Sequence, residues 1–421
     1  MTDSDFETSR RHFLHSIALA AGAAAAPWAL GAAHAADTAG ARVRIGIIGV
    51  GDRGSALLQN LNQSRNCVVT AVCDDYPPNL ARARALAGPR AAAHADYRRL
   101  LQAGGLDAAV VATPLDLHAP VVLDALDAGL HVFCEKAMAR TVEDCTAMVE
   151  RSRQHGRVLQ IGHQRMFSPA YLRARARILA GDIGVVTQIR AQWHRNSNWR
   201  RSVPPGSGLE RKINWRLYKQ HSGGLMTELA CHQLQVANWF FDAVPTRVIG
   251  SGSLCYWKDG RDIDDQVALI YDYSGGRKLI YDSLINNRRY GCEEQVQGDK
   301  GTIEAETAQM FTETTPTVPG LQRMLRDIAE GLYRSVPIGG ASWSPEIPVT
   351  TPGESLGRGP YEETLLQLEA FGEAVKTGRP LPDLLRQAYH ASIASLLGER
   401  AMDTGLPVEW PDHLRMPKEA A

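Results

Sequence analysis

ARVRIGIIGVGDRGSALLQNL, residues 41–61, decides the fold. A short run rich in Ile and Val is followed by a glycine turn and then by apolar residues at helical spacing, which predicts strand, turn and helix in that order. Gly49, Gly51 and Gly54 make a GxGxxG pattern. The first glycine permits the tight turn, the second lets backbone approach a pyrophosphate, and the third packs helix against strand, with the helix N-terminus facing the phosphate charge. A second strand, CVVTAVCDD at residues 67–75, ends on acids, and Asp74 lies 20 positions beyond Gly54. An acid at that distance accepts hydrogen bonds from ribose hydroxyls and repels a 2′-phosphate, so the expected cofactor is NAD rather than NADP.

The strand and helix rhythm continues outward from there. LDAAVVATPLDLHAPVVLDALDAG (106–129) predicts a strand ending at Thr113-Pro114 and then a helix; LHVFCEKAMA (130–139) predicts another strand; VLQIGHQRMFSP (158–169) closes the alternation. Ligands bind at strand ends in a doubly wound sheet, which nominates Thr113, His118, Glu135, Lys136, His163 and Arg165. Farther on, VTQIRAQWH, TRVIGSGSL, QVALIYDY, KLIYDSLI and EQVQGDKGTIEAE, between residues 186 and 306, read as strands separated by turn residues. In SGGLMTELACHQLQVANWFF (222–241) the apolar residues recur at helical spacing and place Glu228 and His232 on one face, a turn apart.

Before that core, SRRHFL (9–14) carries the adjacent Arg10 and Arg11, then an alanine-rich apolar segment, then Ala33-His34-Ala35. Charge, apolar core and small-residue cleavage site predict an export signal over residues 1–35, and the twin arginine predicts the translocase that carries folded proteins to the periplasm. Removing it leaves about 385 residues, more than one core usually holds, so two domains are expected. The 46 basic residues balance 46 acidic ones without a long run of either sign, so nothing points to nucleic acid. Seven cysteines without a Cys-x-x-Cys pair predict neither a disulfide framework nor a metal site.

The glycine turn, TPLDLH, EKA, GHQRMFSP and GGLMTELACH together resemble the Gfo/Idh/MocA oxidoreductase family, over about residues 42–310 and again in YEETLLQLEAFGEAVKTGRP (361–380). The resemblance implies an α/β N-terminal Rossmann domain, here 41–165, and an α+β C-terminal domain, 166–421, with an open, mostly antiparallel sheet. It also implies a homo-oligomer, dimer or tetramer, and helices from about 361 that return to the first domain. Only residues 311–360 fall outside its pattern.

The family's Glu-Lys-Pro motif falls on Glu135-Lys136-Ala137, with alanine in place of the proline, and implies that Lys136 reaches the reacting hydroxyl. Its helical Asp-x-x-x-His falls on Glu228 and His232, with the acid lengthened and Gln235 where a further aspartate is usual. Lys136 and His232 are then the acid and base, Glu228 the orienting carboxylate, and Gly49, Gly51, Gly54, Asp74, Thr113, His118 and Glu135 the cofactor shell. Trp199, Arg200, Trp215 and Arg216 offer flat faces and donors for a sugar ring, together with His163 and Arg165. The expected activity is hydride transfer between NAD and a hydroxyl of a sugar, polyol or glycoside. An NAD-dependent glycoside hydrolase that oxidises its substrate transiently, and a binding protein without catalysis, remain open.

Overall fold

The computed structural model describes residues 42–312, 330, 353–359 and 362–418. The signal expected over 1–35, with Arg10 and Arg11, and most of the segment 311–360 lie outside the described residues.

Six strands form the first sheet: β1 (Val43–Ile48), β2 (Cys67–Cys73), β3 (Ala92–His94), β4 (Ala108–Val111), β5 (His131–Cys134) and β6 (Leu159–Ile161). Their order is β3-β2-β1-β4-β5-β6 and every pair is parallel. This is the doubly wound Rossmann order, whose strand direction of growth reverses between β1 and β4 and opens a crevice there. Helices α1 (Asp52–Gln63), α2 (Pro77–Ala87), α3 (Tyr97–Ala103), α4 (His118–Asp127) and α5 (Val142–Gln154) connect the strands. Strands covered on both faces need continuous apolar runs, and Ile45, Ile47, Val110, Val111, Val132 and Phe133 are fully buried. The strand expected over 130–139 stops at Cys134, so Glu135, Lys136 and Ala137 already lie in the loop at its carboxyl end.

The second sheet holds β7 (Val186–His194), β8 (Arg247–Ser253), β9 (Gln266–Asp272), β10 (Lys278–Leu284), β11 (Cys292–Gly298), β12 (Gly301–Glu304), β13 (Gln309–Thr312), β14 (Glu354–Ser355) and β15 (Val408–Glu409). The order is β14-β13-β12-β11-β7-β10-β9-β8-β15, antiparallel except where β7 meets β10. The expectation of a Rossmann domain joined to an open, mostly antiparallel sheet holds. Alternation sets its faces: Ile189 and Ala191 of β7 are buried, while Arg190 between them is exposed.

Further helices cover one side and tie the two sheets: α6 (Pro169–Ala180), α7 (Glu210–Ile213), α8 (Cys231–Phe241), α9 (Glu363–Thr377) and α10 (Leu384–Thr404). Helix α9 rests on the first domain. Glu369 accepts from the Arg65 amide at 2.7 Å, Phe371 meets Phe133 edge-on at 5.8 Å, and a Cβ on Gly372 would come within 2.7 Å of the Cys67 sulfur. Helix α10 is buried along most of its length. Its Ser392 accepts from the Met138 amide at 2.9 Å, and Tyr271 of the second sheet donates to its Ala394 carbonyl at 3.0 Å. One helix thus fixes the loop after β5 relative to the second sheet, and that loop carries Lys136.

Candidate active site

A cleft of about 1070 Å³ runs between the domains, from the carboxyl ends of β1 and β2 to the inner end of β7. It is large enough for a dinucleotide with a small substrate, since pockets for single ligands usually span roughly 300–1,000 Å³.

At the first-domain end the three glycines divide their work as the motif demands. Gly49 has φ +83°, and a Cβ there would lie 2.7 Å from the Ala112 backbone; a Cβ on Gly54 would lie 1.9 Å from the Gly49 carbonyl oxygen. Gly51 differs, since its nearest neighbour would be Asn79 at 3.9 Å. Room therefore remains just where helix α1 begins, and no side chain caps that helix. Partial positive charge and open space at one helix N-terminus suit a pyrophosphate. Asp74, at the end of β2, lines the cleft and accepts from the Val50 amide at 2.8 Å, so the acid also braces the glycine turn. The Thr113 hydroxyl and Arg53 Nη2 are buried without a partner and border the same space. These residues fit NAD.

His118 lines the cleft, with its ring nitrogens turned to carbonyls of the protein itself. It is buried, its Nδ1 lies 2.9 Å from the Ala137 carbonyl and its Nε2 3.1 Å from the Thr113 carbonyl. Burial pushes its pKa down, and the neutral ring, with a single N–H, donates to one of these two carbonyls, either in the Lys136 loop or in the turn after β4. Glu135 is buried and accepts from Arg53 Nε at 2.7 Å. It packs against Gly162, where an added Cβ would lie 2.9 Å from Glu135 Oε1.

The other end gathers Lys136, Glu228 and His232 on one wall. Lys136 Nζ donates to the Glu228 backbone carbonyl at 2.9 Å. The regular helix expected over 222–241 instead begins with a wide π-helical turn, Met226–Ala230, before α8. Such turns recur at functional sites because they misalign the backbone ladder, and here the Glu228 carbonyl accepts the lysine. Burial raises the Glu228 carboxyl, but Arg216, which donates to it at 2.8 Å, and Lys136 outweigh that and hold it below the usual carboxylate range. His232 is pushed well below the ordinary histidine value by burial and then by the positive charge of Lys136 and Arg165. It is therefore a neutral imidazole, able to accept a proton.

Trp199 and Trp215 line the cleft while packing on small apolar clusters behind them, Trp215 on Leu115, Ala137 and Cys231. Arg216 lies over the Trp215 ring at 4.3 Å. Arg200 borders the cleft too, but it is committed to Glu210 and Asp259. Two expected substrate residues are elsewhere. Arg165 is buried behind Trp193 in an ion pair with Glu294, and Tyr171 donates to that same carboxylate at 2.6 Å. His163 is buried with a pKa lowered to about 3, both ring nitrogens unpartnered, its ring 6.1 Å from that of His232. The chain leaves β6 so that Gln164, between them, is the residue facing the cleft. Gln235 does not line it either.

Several lining residues escaped the sequence reading: Arg53, Trp193, Arg195, Arg201 and Lys212. Trp193 could have been suspected as the last aromatic on a strand that ends at the domain junction; its ring lies 5.4 Å from that of His232. Among the described residues, no group of three His, Cys, Asp or Glu side chains could hold a metal ion.

Glycine turn, parallel sheet and a polar wall at the far end of the same cleft define an NAD-binding oxidoreductase. Two models of one family match the chain over more than half its length: the oxidoreductase family with NAD-binding Rossmann fold at residues 43–163, and the Gfo/Idh/MocA C-terminal domain at 171–304. The chain belongs to the Gfo/Idh/MocA family. It is 25% identical over 370 residues to the uncharacterized oxidoreductase YrbE of Bacillus subtilis, covering 86% of this chain and 95% of that one. Inositol 2-dehydrogenase of Rhizobium meliloti is 26% identical, covering 67% and 81%. Among solved structures, the aldose-aldose oxidoreductase of Caulobacter crescentus superposes with a TM-score of 0.67 at 20% identity, covering 88% of this chain and 100% of that one, a likeness of fold.

Proposed function

We propose that this protein is an exported, NAD-dependent oxidoreductase that acts on a CH–OH group of a sugar, polyol or glycoside, keeps its cofactor bound, and works as a homo-oligomer. The observation that carries the reading is the meeting of Lys136, a neutral His232 and an ionised Glu228 on one wall of the cofactor cleft. The inositol-acting relative supports the substrate class. Bound NAD would accept the hydride from the carbinol carbon. A ring nitrogen of His232 takes the hydroxyl proton, and the Lys136 ammonium stabilises the negative charge that develops on the oxygen. Glu228, held ionised by Arg216, accepts a hydrogen bond from a neighbouring hydroxyl and sets the ring's orientation. Incubating the purified protein with inositols, aldoses and glycosides should produce the near-ultraviolet absorbance of reduced nicotinamide with at least one of them. Cleavage of a glycoside with no net absorbance change would favour the glycoside hydrolase.

The localisation rests on Arg10, Arg11 and the small-residue site at Ala33-His34-Ala35. The folded-protein translocase reads the arginine pair, so Arg10→Lys with Arg11→Lys should leave active protein in the cytoplasm. An unchanged periplasmic yield on fractionation of cells would refute export by that route.

A further inference from the structure

Charge at the catalytic end of the cleft does not balance. Each acid there already has a cation: Glu135 has Arg53, and Glu228 has Arg216. Two cations are left. Lys136 donates to a neutral carbonyl, and the guanidinium of Arg195 lies 5.2 Å from the Trp193 ring centre with no carboxylate against it among the described residues. Arg195 is exposed to the cleft rather than buried, so it keeps its hydration until a ligand arrives.

Its position gives that surplus a direction. Arg195 follows the last two residues of β7, and its backbone amide donates to the Leu284 carbonyl of β10 at 2.9 Å, so the main chain beneath it is fixed by the sheet. Its guanidinium stands one indole away from His232, because the Trp193 ring touches both. An arginine resting on an aromatic face loses little of its donor edge, which remains available for a two-pronged hydrogen bond to a planar or tetrahedral anion. An oxidised nicotinamide ring would add a further positive charge at this end of the cleft.

We propose that the substrate carries an anionic substituent, and that Arg195 receives it while Lys136 and His232 engage the hydroxyl about a ring's width away. This rests on the reading of the site as a sugar-oxidising one. The shared chemistry is an oxyanion on the sugar, which a uronate carboxylate or a sulfate ester would both supply. A neutral polyol would leave Arg195 with water alone.

The test uses the full chain with its bound cofactor and three matched probes: methyl glucoside, methyl glucuronide and methyl glucoside 6-sulfate. Half-saturation and turnover are read with an added redox dye that reoxidises the bound nicotinamide after each hydride transfer. At least one acidic probe should show a KM about 10- to 100-fold below that of the neutral one, the range of a hydrogen-bonded charge pair. The carboxylate and sulfate arms show which anion is preferred. Arg195→Gln should bring the acid-to-neutral KM ratio toward one, chiefly through KM, and Arg195→Lys should restore part of the difference. Oxidation of the neutral probe with an equal or lower KM, or an acid KM unmoved by Arg195→Gln, overturns the assignment of Arg195 while leaving the oxidoreductase intact. Oxidation of an inositol, aldose or neutral glycoside but of neither acidic probe overturns the assignment of Arg195 alone, and oxidation of no compound at all overturns both readings.

Discussion

Lys136→Ala and His232→Ala are each expected to lower turnover by about 10²–10⁴-fold while NAD remains bound, the usual loss when a positioned proton-transfer group is removed. In the proposed mechanism the two side chains act on the same oxygen in different ways. His232 would take the proton, since burial and the Lys136 and Arg165 charges keep its ring neutral. Since its pKa lies below the ordinary histidine value, lowering the pH through about 6.5 should not by itself remove the base; the acid limb of kcat/KM should fall at lower pH. Lys136 would stabilise the alkoxide, with its Nζ held by the Glu228 carbonyl. His232 is only 6% exposed, so truncation also leaves a cavity; His232→Gln, of similar bulk, separates lost chemistry from lost packing. Nucleotide released on denaturation checks that the cofactor is still there. A His232→Ala enzyme with normal turnover would move the base to Lys136 or Glu228. His163 cannot replace it, because it does not border the cleft.

Legibility in the sequence followed the range of the interactions. Gly49, Gly51 and Gly54 sit in one turn and their steric demands are local, so spacing alone gave their roles, and Asp74 followed from the length of one strand-helix-strand unit. The long β-rich runs were readable because alternation and turn residues are local signals, while the two-residue edge strands β14 and β15 have too few residues to alternate. Misplacement came where a segment leaves regular structure. His163, Gln164 and Arg165 follow β6 in a tight turn, and which of the three faces the cleft depends on the direction of that turn, which the buried Glu294 decides by holding Arg165. The wide turn at Met226–Ala230 inserts a register change that apolar spacing does not show. Arg53 and Gly162 matter through Glu135, 82 and 27 residues away in the chain, and no local pattern carries that information.

Protein purified without added cofactor is expected to release close to one NAD per chain on denaturation. A dissociation constant near 1 nM, about −12 kcal/mol, would suffice for retention through purification. Two ion pairs cross the cofactor cleft from the second domain. Arg201 meets Asp52 in the first turn of α1, and Lys212 meets Asp75, beside Asp74, at 2.9 Å. Both acids are largely exposed, so each pair contributes no more than about 1 kcal/mol. Arg201→Ala with Lys212→Ala should therefore weaken retention by at most about 30-fold; enclosure by both domains has to supply the rest. Retention is also what export of a folded chain would favour, since a cofactor lost outside the cytoplasm is not readily replaced. A trapped NAD must be reoxidised where it sits, by a second carbonyl substrate, by an external acceptor, or by return of hydride to the same sugar. The first two give alternating oxidation and reduction with two products, and the third gives a glycoside hydrolase with no net redox change. Supplying one sugar to the purified protein separates them. Absorbance that rises and stays until a carbonyl compound is added marks the first, and decay with an added redox dye marks the second. A cleaved glycoside with only a transient rise marks the third. A folded but empty protein that works only with added NAD would overturn retention and, with it, the need for any of the three.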